Sequence, residues 1–252
     1  MASGSEKTTN QTTDRALVLL NLFENNEELG ISDIARLLDL KKATAARLVS
    51  SLEKYNFLHQ NPENKKYRLG MRLLLLGNLA QSRYAIADEM FPEMQRLAMK
   101  HRASSTMMVM EGLNMHIIQK YDAGLIINIS ACKGALLPAY ATASGKLVLA
   151  YSSADIRENY FKFAQITPLT EYTHTDKQAL EAEFARIREC GYSLDIDESV
   201  VGLQCISVPL CTSKGQIIAT MSLNFQSSLP EEKKQLMLQD LLGAAREFKR
   251  TH

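Results

Sequence analysis

No stretch of this chain approaches the roughly 18 consecutive apolar residues that a membrane span requires, although 46% of its 252 residues are hydrophobic. The polar opening MASGSEKTTNQTT has neither the apolar core nor the basic flank of a secretory signal, which predicts a cytoplasmic protein. Cysteine is scarce: the four, at 132, 190, 205 and 211, show no C-x-x-C pairing, and five histidines are scattered among them. That spacing excludes zinc ribbons and dithiol redox motifs, so reduced thiols are expected, with no metal and no cofactor. Net charge is lacking too, at +1 overall, but it is unevenly spread. Residues 1–40 set Lys7, Arg15 and Arg36 against seven acidic side chains, a balance of −4. Residues 41–72 set Lys41, Lys42, Arg47, Lys54, Lys65, Lys66, Arg68 and Arg72 against Glu53 and Glu63, a balance of +6. Positive charge concentrated in this way makes an electrostatic footprint for a polyanion.

The length suits two modest domains. Residues 1–11 are rich in Ser, Thr and Asn and are expected to form a disordered arm. A first helix is predicted from Thr13 to about Glu24, capped by Thr13, with Leu17, Leu20, Leu22 and Phe23 on its apolar side. A second starts at Ser32 as cap and buries Ile34, Ala35, Leu37 and Leu38. A third begins near Lys42, buries Ala45, Leu48, Val49 and Leu52, and turns Ala43, Thr44, Arg47, Ser50, Ser51 and Lys54 the other way. FLHQNPENKKYRLG reads as a basic hairpin that closes a module over 12–70 at Gly70. MRLLLLGNLAQSRYA, over 71–85, predicts a linker helix too apolar for solvent, one that packs against another subunit.

From residue 86 to 252 the texture changes. The pattern predicts a helix over Ala87–Lys100, a hairpin turning at Gly112–Asn114, a strand LIINISACK and a helix opening at ATASGKLVLAY. Helices near Ala154–Phe163 and Asp176–Cys190 follow, then a strand YSLDIDES, a second hairpin with Lys214 and Gly215 at its tip, and a terminal helix from Pro230. Strands mixed with flanking helices make this an antiparallel α+β domain.

Two short helices separated by DLK fit a helix-turn-helix, whose second helix lies in the major groove of double-stranded DNA. Ala43 and Thr44 are small where bulk would hold the backbone off the bases. Arg47, one turn on, is the expected base reader, because a guanidinium makes a bidentate contact to guanine. Lys41, Lys42, Lys54, Lys65, Lys66 and Arg68 suit phosphates, with Ser51 on the same face and the hairpin as a wing.

The stretches RALVLLNLF, ISDIARLLDLKKATAARLVSSLEKYNFL, KYRLGMRLLLLG, LPAYATASGKLVLA, GYSLDIDESVVGLQCISVPL and ATMSLNF resemble those of IclR-type transcriptional regulators over nearly the whole chain. The resemblance implies a winged helix-turn-helix, a linker helix and a GAF-like effector-binding domain, assembled as homodimers or dimer-paired tetramers. It implies a ligand-responsive regulator of an operator, with repression the favoured direction. Lys41 and Ala43 stand where the family often has Ser or Asn and Ser, and Gln204 where it commonly has Arg, so the recognition helix starts without a side-chain cap.

On its own, ATASGKLVLA is a helix start crowded with small residues, whose free amides could seat a carboxylate. It equally fits a Thr142 or Ser144 cap with Gly145 allowing close packing. The resemblance implies a pocket for a small organic acid at Ala143 and Ser144, Asp195, Leu203, Cys205, Ser222 and Asn224, with Leu137 and Leu203 as apolar wall. Asn224 replaces a frequent Ser. Asp195 is expected to accept a hydroxyl or amino group of the effector while remaining ionised.

The competing reading is a sensor or enzyme whose N-terminal module only dimerises. Its face over 43–54 would then be apolar, whereas here it is polar and basic. TASGK is not G-x-S-x-G, and DIDES lacks an EF-hand glycine and glutamate and reads as a solvated acidic loop. Cys205 reads as a buried structural thiol, and methionines 107, 108, 110 and 115 as strand packing. No catalytic set emerges.

Overall fold

The computed structural model describes residues 10–81, 84–123 and 132–252, and the chain divides into two compact units, 1–83 and 84–252. The first unit holds α1 (Gln11–Asn21), α2 (Ile31–Leu37), α3 (Lys42–Lys54), β1 (Leu58–Gln60), β2 (Tyr67–Leu69) and α4 (Met71–Gln81). Its core gathers Leu19, Phe23, Leu29, Ile34, Ala35, Ala45, Leu48, Val49, Leu58 and Tyr67.

Helix α1 starts earlier than the sequence predicts. Asn10 Oδ1 accepts from the amides of Thr12 and Thr13, so Asn10 is the cap, and residues 10 and 11 belong to the helix rather than to an arm; the rest of the arm lies outside the described residues. The buried stripe is Leu19 and Phe23 with Ala16 and Leu20 beside it, while Leu17 is 57% exposed. Spacing at 16, 19, 20 and 23 is the true helical face. For α2 the cap is Gly30, whose amide donates to Asp33 at 3.2 Å, and Ser32 lies inside the helix. Leu37, expected in the core, is exposed, because the helix ends there and Asp39 turns the chain with φ 50°. Leu40 N then closes the tight turn on Ala35 O at 2.8 Å.

The hairpin β1–β2 pairs Leu58 with Leu69 and Gln60 with Tyr67, and Leu29 adds a bridge to Tyr67. That makes a three-membered wing tied to the loop before α2. Gly70 admits no side chain: a Cβ there would collide with the carbonyl of Asn56.

The second unit is α+β. It contains α5 (Ala85–Glu89), α6 (Phe91–His101), β3 (Ser104–Glu111), β4 (Asn114–Asp122), β5 (Leu136–Pro138), α7 (Ala143–Tyr151), α8 (Ala154–Phe163), α9 (Lys177–Cys190), β6 (Ser193–Ile196), β7 (Leu203–Cys211), β8 (Ile217–Gln226) and α10 (Glu231–Thr251). The six strands form one antiparallel sheet in the order β5-β4-β3-β8-β7-β6. The single helix expected over Ala87–Lys100 is two, because Pro92 cannot donate within a helix and instead sits in the first turn of α6. Most of the strand expected at LIINISACK lies outside the described residues, and Cys132 and Lys133 are not in a strand.

Alternation along β3 and β4 sorts side chains to the two faces. Met107, Val109 and Ile118 join α5, α6 and α10 in one core. Met108, Met115 and Ile117 join α7, α8 and α9 in the other. The second face is the one that turns polar toward one end.

Candidate functional site

In the first unit, α3 buries Ala45, Leu48 and Val49, and so presents the remaining side of its cylinder outward. Lys41, Lys42, Ala43, Arg47, Ser50, Ser51 and Lys54 are exposed, with Thr44 half-buried. Lys41 caps the helix by backbone alone, with no side-chain bond, so the first-turn amides keep their positive end for a phosphate. Ser51 Oγ donates back to Arg47 O at 3.0 Å, and the Arg47 side chain is exposed one turn before it.

On the wing, Lys65, Lys66 and Arg68 are exposed. The turn carrying them is held by Glu28, which accepts from Asn61 at 3.1 Å and Asn64 at 2.6 Å. Those two bonds, Asn61 first, hold the Glu28 carboxyl below the usual range, helped by Arg68 and Lys66. Sequence reasoning did not find Glu28, which looks like any acidic residue before a helix.

In the second unit, Ser144 at the start of α7 reaches down onto the sheet. Its Oγ lies 3.1 Å from Ser207 Oγ and 2.9 Å from Ser222 Oγ, and those two are themselves 2.9 Å apart. Asn224 donates to Thr106 Oγ1 at 3.1 Å and Ser104 O at 3.3 Å. Ser222 and Asn224 thus share a face. Cys205 pairs in register with both Asp195 and Asn224; burial pushes its thiol well up, the mark of a structural cysteine. Leu203 is buried on the same strand face, and Leu137 packs half-buried against the neighbouring core. The implied ligand residues are therefore drawn together around the start of α7, with Leu137 set toward the edge strand.

The helix start does two things at once. Thr142 Oγ1 caps it by accepting from Gly145 N at 3.1 Å, and a Cβ on Gly145 would strike the backbone of Ala139. Capping and close packing are thus both real. Among the described residues, the amides of Ala143 and Ser144 still have no acceptor.

The acidic stretch DIDES, which begins in β6 and runs into the loop after it, is not solvated as expected. Asp195 is 3% exposed and Glu198 4%. Asp195 Oδ1 accepts from Glu198 N at 2.9 Å and Ser199 N at 3.3 Å, and Oδ2 from Ser199 Oγ at 2.5 Å. Burial nevertheless pushes its carboxyl up to about 6, opposed by the Ser199 bond and by Lys146 and assisted by Glu198. Asp197 Oδ1 takes Gly202 N at 2.7 Å and Ser227 Oγ at 2.5 Å.

Lys146, 1% exposed, forms a buried ion pair with Glu198 and lies 3.7 Å from Glu183. Sequence reasoning missed this pair, along with Ser104, Thr106, Ser193 and Ser207. The available signal was small polar residues at every second position of otherwise apolar strands: S-S-T at 104–106, C-I-S at 205–207 and S-L-N at 222–224.

Residues 12–62 match the IclR helix-turn-helix domain and residues 79–250 match the bacterial transcriptional regulator IclR C-terminal domain. The chain is 32% identical over 219 residues to the HTH-type transcriptional regulator XynR of Escherichia coli, covering 86% of this chain and 87% of XynR. It is 27% identical over 241 residues to the E. coli DNA-binding transcriptional repressor YiaJ, covering 94% and 84%. An IclR homolog from Microbacterium hydrocarbonoxydans, complexed with 4-hydroxybenzoate, superposes with a TM-score of 0.79 at 24% identity, covering 96% of this chain and all of that one.

Proposed function

This chain belongs to the IclR family of bacterial transcriptional regulators, and on that premise we propose that it represses its operator until a small carboxylate binds beneath α7. The DNA-binding half rests on α3, whose free face is polar and basic and continues into the wing lysines. An N-terminal module built only for dimerisation would show an apolar face there.

The ligand half is carried by one observation: the first turn of α7 has two amides without an acceptor, and its Ser144 side chain joins a buried triangle of hydroxyls on the sheet. Amides at a helix N-terminus attract an anion, and the serines supply the polar contacts that orient it. Leu203 adds an apolar contact beside Cys205 on β7, whereas Leu137 stands on the edge strand β5, with β4, β3 and β8 between. Asp195 anchors the adjoining loop and keeps capacity on Oδ2 for one further donor. The complex of the Microbacterium homolog with an organic acid supports this class of ligand, and the repressor name of YiaJ supports the direction of control.

The chain acts as a homodimer or a pair of dimers. Helix α4 supports this, since Met71, Leu74, Leu75 and Leu79 lie exposed along it at 74, 55, 47 and 59%, an apolar surface that a second copy would cover. No described helix is long and apolar enough to cross a membrane, and a regulator of this family works in the cytoplasm.

Genomic fragments selected on the purified protein, followed by anisotropy titrations with a panel of carboxylates, test the proposal. Expected is one fragment class bound well above random DNA, released by one class of acid. Binding that never exceeds random DNA would overturn it.

A further inference from the structure

Four strands place two parallel rows of polar side chains beneath α7. One row runs Ser193, Ser207, Ser222, Thr106, and the next runs Asp195, Cys205, Asn224, Ser104, each from direct cross-strand register. They occupy the face that Ser144 touches, because Ser207 and Ser222 contact it and Thr106 contacts Asn224. Further along the same face the sheet carries Met108, Met115 and Ile117. An interior that is apolar at one end and hydroxyl-rich at the other is not explained by packing, since each buried hydroxyl costs free energy unless bonded.

Part of that cost is left unmet. Among the described residues, four buried side-chain atoms have no hydrogen-bond partner: Ser105 Oγ on the opposite face of β3, and, on this side, Ser104 Oγ, Ser193 Oγ and Glu198 Oε2, both serines being 0% exposed. The two serines stand near opposite ends of the rows. A hydroxyl both donates and accepts, so its natural complement is another hydroxyl. With strands about 4.8 Å apart, the rows extend about 14 Å. A two- or three-carbon acid offers at most a hydroxyl or two to these rows, a linear acid of five or six carbons offers several along about half their length, and an aromatic ring would cover most of these groups without bonding them.

We infer that the effector is a linear polyhydroxylated carboxylate, an aldonate-type sugar acid of five or six carbons, lying along the serine rows with its acid group at the start of α7. The inference rests on the reading of this cluster as the effector site. Its hydroxyls would bond Ser104 or Ser193 and donate to Glu198 Oε2, with the Ser144 triangle beneath the acid group.

Calorimetry on the full-length protein separates the possibilities. The probes are gluconate, galactonate and ribonate against hexanoate, pyruvate and 4-hydroxybenzoate; gluconate and hexanoate share chain length and acid group and differ in hydroxyls. Expected is at least one aldonate binding tenfold or more tighter than hexanoate. If hexanoate, pyruvate or 4-hydroxybenzoate matched or exceeded every aldonate, the sugar-acid inference would fall while the carboxylate reading stood. If no acid bound, both would fall.

Ser104→Ala and Ser193→Ala supply the second arm. A hydroxyl unbonded in the free protein can be removed without loss, so the ligand-free melting temperature should hold or rise. Aldonate affinity should drop about 2- to 10-fold in at least one variant. Unchanged affinity in both, or a lowered ligand-free melting temperature in both, would overturn the assignment.

Discussion

Ser144 Oγ on α7 and Ser222 Oγ on β8 meet at 2.9 Å across 78 residues of sequence, and Ser207 closes the triangle. Each hydroxyl has one donor and two acceptor sites, so the three satisfy one another in the ligand-free protein. A carboxylate bound at the helix start, as proposed, would therefore extend a network already in place. Ser144→Ala should cost about 1 kcal/mol of stability, read as a shift in denaturant midpoint, and should weaken carboxylate binding. Full affinity in this variant would place the acid elsewhere.

Asp195 gives a pH signature. Its folded value, about 6, lies above the ordinary 3.8, so between them the folded protein holds more protons than the unfolded chain. Stability contributed at low pH is then lost as pH rises through about 6. The charged groups facing it are Glu198 and Lys146. Relative to Asp195→Asn, which does not titrate, wild-type stability should fall by about 2 kcal/mol between pH 4 and pH 7. Parallel curves of melting temperature against pH would refute the shift.

Lys146→Met leaves Glu198 buried without its cation, and removing one partner of such a pair costs about 3–5 kcal/mol. Adding Glu198→Gln in the same chain should restore a substantial part. Chemical denaturation of the single and double variants measures both. A double variant no more stable than the single would mean that Lys146 acts through packing of its stem.

Helices were legible where apolar spacing decides them, as in α3, whose buried Ala45, Leu48 and Val49 were read from the sequence and found. Their ends were less so. Asn10, Thr12 and Thr13 all look like caps, and only geometry shows that Asn10 takes the amides. The family resemblance singled out segments that the structure brings together beneath the start of α7. Its chemistry was not, because Ser193, Ser207, Ser222 and Thr106 come from four strands whose register is a long-range property. The same holds for Lys146 and Glu198, 52 residues apart, each of which alone reads as a surface charge.

Arg47→Ala should relax sequence preference at one base pair and weaken specific operator binding by about 1–3 kcal/mol, with the fold and ligand response intact. Competition between operator and random DNA decides it. An unchanged ratio would remove Arg47 from base reading.

Lys65→Ala combined with Lys66→Ala should weaken binding to all sequences alike and reduce the salt dependence by about two counterions at most. The measurement is the slope of log affinity against log salt. An unaltered slope would leave the wing lysines in solvent.

The close approach at Gly70 has a mechanical meaning. Gly70 N donates to Phe57 O at 2.8 Å and Arg72 N to Asn56 O at 3.2 Å, so the first turn of α4 is bolted to the chain leaving α3. An 11-residue helix is about 16 Å long. Displacing its far end sideways by about 3 Å tilts such a rod by about 10° about that bolted end. Gly70, the one glycine between the two helices, is held by those bonds and by its close packing on Asn56 rather than left as a loose joint, so a tilt of α4 would be passed to the recognition helix as torque, with α4 as a lever arm whose fulcrum a single added methyl at Gly70 would dislodge.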